Sequence, residues 1–182
     1  MSLRFSGDAR LNIAFAEMRD VNARGGVLRF HTPDGPVALD LGDAAEAWAR
    51  AILNPKSRID KLGVKPGMRV CLLGVSDATF RAELEKQLGA PVASAARGTY
   101  DIIFRELRSA RDLADLDRFR ARLALNGALW LIYAKGKGAA LSEREVRAAF
   151  LATGLVDTKV VAFSPTHTAV KLVIPRAERG RP

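Results

Sequence analysis

Three residues follow the most apolar run of the sequence, at a place where many folds hold a ligand. In "RVCLLGVSDATF" (residues 69–80), Gly74, Ser76 and Asp77 lie between an apolar strand pattern and the start of a helix. Such a turn binds a nucleotide cofactor when glycines let the backbone approach the ligand closely. Because Gly74 is the only glycine in this turn, we interpret Gly74, Ser76 and Asp77 as a weak cofactor-binding loop.

Four basic residues are predicted to lie near the same loop. Arg97, Arg105, Lys135 and Lys137 lie at or just beyond the ends of successive predicted strands. Ligands of open parallel sheets bind at the carboxyl ends of the strands, so these residues predict a basic rim that binds an anion. The alternative is that the side chains pair with nearby carboxylates or face water, as most surface charges do.

The other reactive side chains predict no metal site and identify no catalytic group. His31 and His167 lie beside hairpin turns, and neither has a second ligand at a metal-binding spacing. Cys71, the only cysteine, lies inside an apolar strand, where burial disfavours a reactive thiolate. We therefore expect no metal, and the catalytic residues remain unknown.

The composition is that of a globular protein with a surplus of positive charge. The 182 residues are 48% hydrophobic and 27% charged, with a net charge of +9. No apolar run approaches the ~20 residues of a membrane span, and the N-terminus lacks the apolar core of a signal peptide, so we expect a cytoplasmic protein with no membrane partner. The charge admits nucleic acid as a partner. With 7% aromatic residues and no aromatic–basic interleaving, that partner is not favoured.

Residues 1–55 predict a small β-rich unit followed by a helix. In "GVLRFHTPDGPVALDL", Leu28 and Phe30 alternate with polar residues ahead of a "TPDG" turn, which is a hairpin pattern. An earlier strand is expected within "RLNIAFAEMRD", and Asp43 with Glu46 predicts the cap of the helix. The apolar face of the hairpin must be covered by the chain itself or by a second copy, which admits a homodimer.

Residues 56–175 show strands alternating with helices. Parallel strands need long crossovers, so strands separated by helices predict a parallel sheet, whereas the five-residue "SPTHT" connection predicts a closing antiparallel hairpin. We therefore predict a three-layer α/β domain whose mostly parallel sheet ends in an antiparallel hairpin, followed by a basic tail at 176–182. The strands before the hairpin are expected at 68–75, 91–95, 100–107 and 127–134.

Several segments of this domain resemble the class I S-adenosylmethionine-dependent methyltransferases, in an abbreviated form. "KLGVKPGMRVCLLG" is similar to the lead-in and first strand of that family, "YDIIF" to its fourth strand and "NGALWLIYAKG" to its fifth. The closing hairpin is similar to the family's antiparallel last strand. Residues 56–175 also resemble an uncharacterised bacterial family of short methyltransferase-like proteins, which share the opening and a "GLVD-KV" hairpin.

The resemblance implies a cofactor site from which two family features are missing. The family has further glycines where this chain has Val75, Ser76 and Asp77, and its second strand ends in a carboxylate that binds the ribose, whereas residues 92–99 contain none. We expect a degenerate site with no cofactor, or weak S-adenosylmethionine binding at most. The protein is then non-catalytic and binds a protein partner or an anionic small molecule. The alternatives are an active methyltransferase of a small molecule and a nucleic-acid-binding protein.

Overall fold

The chain divides into two compact units in the computed structural model, Met1–Ser57 and Arg58–Pro182. The structure describes residues 2–6, 10–136 and 138–180. Each unit buries its own hydrophobic residues: one core lies in the first unit and two lie in the second. Within the described ranges, no helix is long and apolar enough to cross a membrane.

The first unit is built from short antiparallel strands and one helix. β1 pairs with β2, and β3, β4 and β5 form a separate three-stranded sheet against which α1 packs. Short 3₁₀ turns precede β3 and α1. In chain order the strands and helix are β1 (Ser2–Ser6), β2 (Arg10–Ala14), β3 (Arg19–Arg24), β4 (Val27–Thr32), β5 (Gly35–Asp40) and α1 (Ala45–Leu53).

The predicted hairpin is confirmed, and the predicted helix cap is wrong. β4 and β5 pair with Leu28 opposite Leu39, and Leu28 and Phe30 are buried. Asp43 lies in a 3₁₀ turn that runs directly into α1, which has no side-chain cap. The backbone before α1 is already helical, so the extended conformation that a capping residue needs is absent.

The second unit is a layered α/β fold. Helices α2 and α3 contribute to the core on one face of the sheet, and α5 and α6 to the core on the other. Its elements are α2 (Arg58–Leu62), β6 (Val70–Leu73), α3 (Ala78–Leu88), β7 (Tyr100–Leu107), α4 (Ala110–Ala114), α5 (Asp117–Arg120), β8 (Leu123–Ala134), α6 (Glu143–Ala152), β9 (Val156–Ala162) and β10 (His167–Val173).

The sheet of the second unit has the order β6-β7-β8-β10-β9. β6, β7 and β8 are parallel, and β10 lies antiparallel between β8 and β9. Ile103 belongs to one core and Ile102 to the other, which explains the continuous apolar runs of the central strands. The predicted mostly parallel sheet that ends in an antiparallel hairpin is confirmed.

The strand predicted at residues 91–95 is reduced to a single bridge. Ala93 pairs with Cys71, and the Leu72 N–H donates to the Ala93 carbonyl at 2.8 Å. The segment cannot continue as a strand because its backbone turns at once. The Ala95 carbonyl accepts the Arg97 N–H at 3.0 Å and the Tyr100 hydroxyl at 3.1 Å. Residues 89–99, all of them described, contain no helix.

Candidate functional site

The predicted cofactor loop lies at the carboxyl end of β6, and side chains of the same unit bind its polar groups. Gly74 has a φ of +68°, a conformation that favours glycine. Its carbonyl oxygen accepts a hydrogen bond from Arg108 Nη2 at 2.7 Å. The Ser76 N–H donates to Glu106 Oε2 at 3.0 Å. These two backbone groups, which a ligand in the loop would use, already have partners.

Arg105 packs directly against the turn. A Cβ added at Gly74 would lie 3.0 Å from Arg105 Nη1. Arg105 extends from β7, its side chain is 16% exposed, and it forms an ion pair with Asp112. Asp112 also accepts the Ser109 N–H at 3.0 Å, where α4 begins. The guanidinium of Arg105 is therefore part of the packed structure around the loop.

Asp77 caps a helix and forms an ion pair. Its Oδ1 accepts the Phe80 N–H at 2.8 Å, which begins α3, and its Oδ2 lies 2.6 Å from Arg58 Nη1. Burial raises the pKa of Asp77, but the Phe80 N–H and Arg58 outweigh this effect, and the net pKa is below the usual value. The carboxylate is thus ionised and fully engaged in structural contacts.

Glu106 is the residue of this site whose role the sequence did not reveal. Its side chain is 11% exposed, and besides Ser76 it contacts Arg108 Nε at 2.9 Å. Burial raises the pKa of Glu106, but Arg108 and the Ser76 N–H lower it by more, so the net pKa is below its usual value. The sequence does place this carboxylate at the end of β7, two residues before Arg108, and that spacing was the available signal for its role. Glu106 and Arg108 together hold the loop 74–76 to β7.

The residues predicted to form the basic rim have different surroundings. Arg105 is paired with Asp112, Arg97 lines a cleft beside α5, and Lys135 lines a second cleft beside α6. Lys137 lies outside the described residues. The anion-binding rim therefore stays a prediction, of which two members, Arg97 and Lys135, line clefts.

The cleft beside α5 has a volume of about 760 Å³. We call it the arginine cleft, because three of its lining residues are arginines. It adjoins the loop through Leu73 but includes none of residues 74–77. Its lining consists of Leu73, Ala95, Ala96, Arg97, Arg118, Phe119, Ala121 and Arg122.

The remaining reactive groups have structural surroundings. Cys71 is buried, and burial raises its pKa to about 11. His31 lies 3.5 Å from Asp20 at the surface, and His167 Nδ1 is 2.9 Å from the Thr166 hydroxyl. In the part of the chain that the structure describes, no group of three His, Cys, Asp or Glu residues could hold a metal ion.

Comparison of the fold with solved structures identifies its class. No family model matches the sequence, and no curated protein matches it. A SAM-dependent methyltransferase from Aquifex aeolicus is 18% identical, with a TM-score of 0.52 over 70% of this chain and 93% of that one. The pyocyanin biosynthetic protein PhzM is 11% identical, with a TM-score of 0.50 over 71% of this chain and 57% of that one.

These likenesses confirm the resemblance to class I methyltransferases at the level of fold. The order and directions of β6 to β10 give the same class, since the last strand is inserted antiparallel into the sheet. Identities this low carry no information on activity.

Proposed function

We propose that this chain is a non-catalytic protein of the methyltransferase fold, which binds an anionic molecule or a protein partner in place of S-adenosylmethionine. One observation carries the proposal: the loop after β6 is closed by Arg108 on the Gly74 carbonyl and by Glu106 on the Ser76 N–H. A cofactor would have to break both hydrogen bonds before it could use these groups.

The residues around the loop fit S-adenosylmethionine poorly. Residues 92–99, which include the edge bridge at Ala93, contain no carboxylate for the ribose hydroxyls. A hydrogen bond to a charged group contributes about 1.5–3 kcal/mol, so its loss weakens binding by roughly ten- to a hundredfold. Arg97 stands in that segment instead, and a cation repels the sulfonium group of the cofactor.

The second candidate function is an active S-adenosylmethionine-dependent methyltransferase of a small molecule. One observation favours it: Gly74 has the positive φ of a glycine turn at the end of the first parallel strand. Methyl transfer can proceed with little more than donor and acceptor held in line, so the lack of an identified base does not exclude it.

A calorimetric titration with S-adenosylmethionine separates the two functions. We expect a dissociation constant weaker than about 10 μM, which corresponds to about −7 kcal/mol. Ala95→Asp, which restores a carboxylate after the edge bridge, is expected to strengthen any residual binding, and Ser94→Asp is the matched control with the same charge one residue earlier. A dissociation constant of about 10 μM or tighter for the unmodified chain contradicts the proposal and favours the enzyme.

A further inference from the structure

The arginine cleft exists because the sheet edge beside α5 lacks a covering helix. Between α3 and β7 the chain runs through residues 89–99 without a helix, and its one β-bridge to the sheet is at Ala93. The apolar core on the α5 face, to which Phe119 belongs, therefore continues into the cleft through the partly buried Leu73 and Ala96. This gives the cleft an apolar floor.

The rim of the cleft is positively charged. Arg97 and Arg122 are exposed, and within the described residues their guanidinium groups have no hydrogen bond or ion pair. Arg118 lies over the Phe119 ring, 4.9 Å from its centroid, and forms an ion pair with Asp115, whose Oδ2 is 3.3 Å from Arg118 Nη2. No carboxylate occurs among the lining residues.

A fourth arginine, Arg69, adds positive charge beside the cleft. Arg69 lies 5.7 Å from the Tyr100 ring, and its Nη2 is 2.9 Å from where a Cβ of Gly98 would stand. The Tyr100 hydroxyl is bound to the Ala95 carbonyl, which fixes the backbone of the cleft wall. The wall is thus held by buried groups while two arginines remain free to bind a ligand.

We propose that the arginine cleft binds a small organic anion with an apolar or aromatic body and a terminal carboxylate, phosphate or sulfonate. A volume of about 760 Å³ is in the range of small-molecule sites, which combine an apolar lining with a few polar groups. The guanidinium groups of Arg97 and Arg122 supply donors that match planar or tetrahedral anions, and the floor at Phe119 and Ala96 accepts the apolar body.

Two dyes of nearly equal shape test this assignment on the full chain. Anilinonaphthalene sulfonate carries an anionic group, and phenylnaphthylamine is the corresponding neutral molecule. Fluorescence titration is expected to give tighter binding of the sulfonate. Arg97→Gln with Arg122→Gln is expected to weaken the sulfonate at least tenfold and to leave the neutral dye within about twofold, because each charge-assisted hydrogen bond accounts for about tenfold in affinity.

Two further variants locate the site. Ala121→Phe places a ring in the cleft from an exposed position and is expected to weaken both dyes. Arg144→Gln removes another exposed arginine, on α6 and outside the cleft, and is expected to change the binding of neither dye. Since the side chains of Arg97 and Arg122 make no hydrogen bond or ion pair within the described residues, their replacement should leave the thermal transition unchanged.

The proposal is overturned if the arginine pair and Arg144→Gln have the same effect, or if both dyes bind equally. Displacement of the sulfonate by S-adenosylmethionine or by a single-stranded oligonucleotide would also overturn it, because the cleft would then belong to a cofactor or nucleic-acid site. The inference does not rest on the proposed function: S-adenosylmethionine binding that leaves the dye in place contradicts the non-catalytic proposal alone.

Discussion

Replacement of Glu106 by Gln tests whether this carboxylate holds the loop after β6. Glu106 accepts the Ser76 N–H at 3.0 Å and Arg108 Nε at 2.9 Å, one at each of its oxygens. Glutamine keeps the shape and one accepting oxygen, but its amide nitrogen cannot accept. The variant therefore loses the charge and one of these two hydrogen bonds.

The expected loss of unfolding free energy is about 1–2 kcal/mol. A hydrogen bond to a charged group contributes about 1.5–3 kcal/mol and a neutral one about 0.5–1.5 kcal/mol, so replacing the carboxylate on Ser76 removes roughly the difference. Arg108 is 58% exposed, and solvent screens its ion pair with Glu106 to about 1 kcal/mol or less. Urea denaturation at neutral pH measures the sum.

The pH dependence gives a second, independent readout. The pKa of Glu106 is lowered in the folded protein, so its contribution is present above the ordinary value of 4.5 and is lost as the pH falls through the folded value. The stability difference between the unmodified chain and Glu106→Gln should therefore shrink below about pH 4.5. Asp157→Asn, which removes an ion pair with Arg147 at 3.5 Å, is the control and should cost less than 1 kcal/mol.

Equal stability of Glu106→Gln and the unmodified chain at neutral pH would refute this role for Glu106. A stability difference that stays constant from pH 7 to pH 3 would refute the electrostatic part of the argument, since it would reflect packing alone.

Two other predictions concern Gly74 and Cys71. Gly74→Ala should lower the unfolding free energy by about 1–3 kcal/mol, because φ is +68° and the new Cβ would lie 3.0 Å from Arg105; thermal unfolding measures it, and an unchanged transition would contradict the packing described. Cys71, with a pKa of about 11, should react with a thiol reagent at pH 8 only after urea is added; rapid labelling of the native protein would show that Cys71 is not buried.

The fold of the second unit could be predicted because its signals are local. Apolar runs, a capping residue such as Asp77, and the short closing connection each depend on residues within a few positions of one another. The strand at 91–95 could not be predicted correctly, since its loss depends on the Tyr100 hydroxyl binding the Ala95 carbonyl. At this position a tertiary hydrogen bond, which local sequence patterns do not report, determines the backbone conformation.

The candidate site was predictable only in part. Gly74, Ser76 and Asp77 were identified as a loop, but their partners are distant in sequence: Ser76 is 30 residues from Glu106, and Gly74 is 34 residues from Arg108. Parallel pairing of β6 with β7 brings these groups together, and no spacing rule reports such a contact. The sequence also could not distinguish the paired Arg105 from the unpaired Arg97, because Asp112 reaches Arg105 only once the chain has turned from β7 into α4.

The amide resonance of Ser76 in a ¹⁵N-labelled sample tests the central claim most directly, because this N–H is the group that Glu106 holds. S-adenosylhomocysteine is added up to millimolar concentration, and the neighbouring Phe80 amide, bound to Asp77, is observed in the same spectra. The closed loop predicts that the Ser76 resonance does not move. A shift of Ser76 that saturates with a dissociation constant of about 10 μM or tighter would show that the loop opens for the cofactor and would contradict the account.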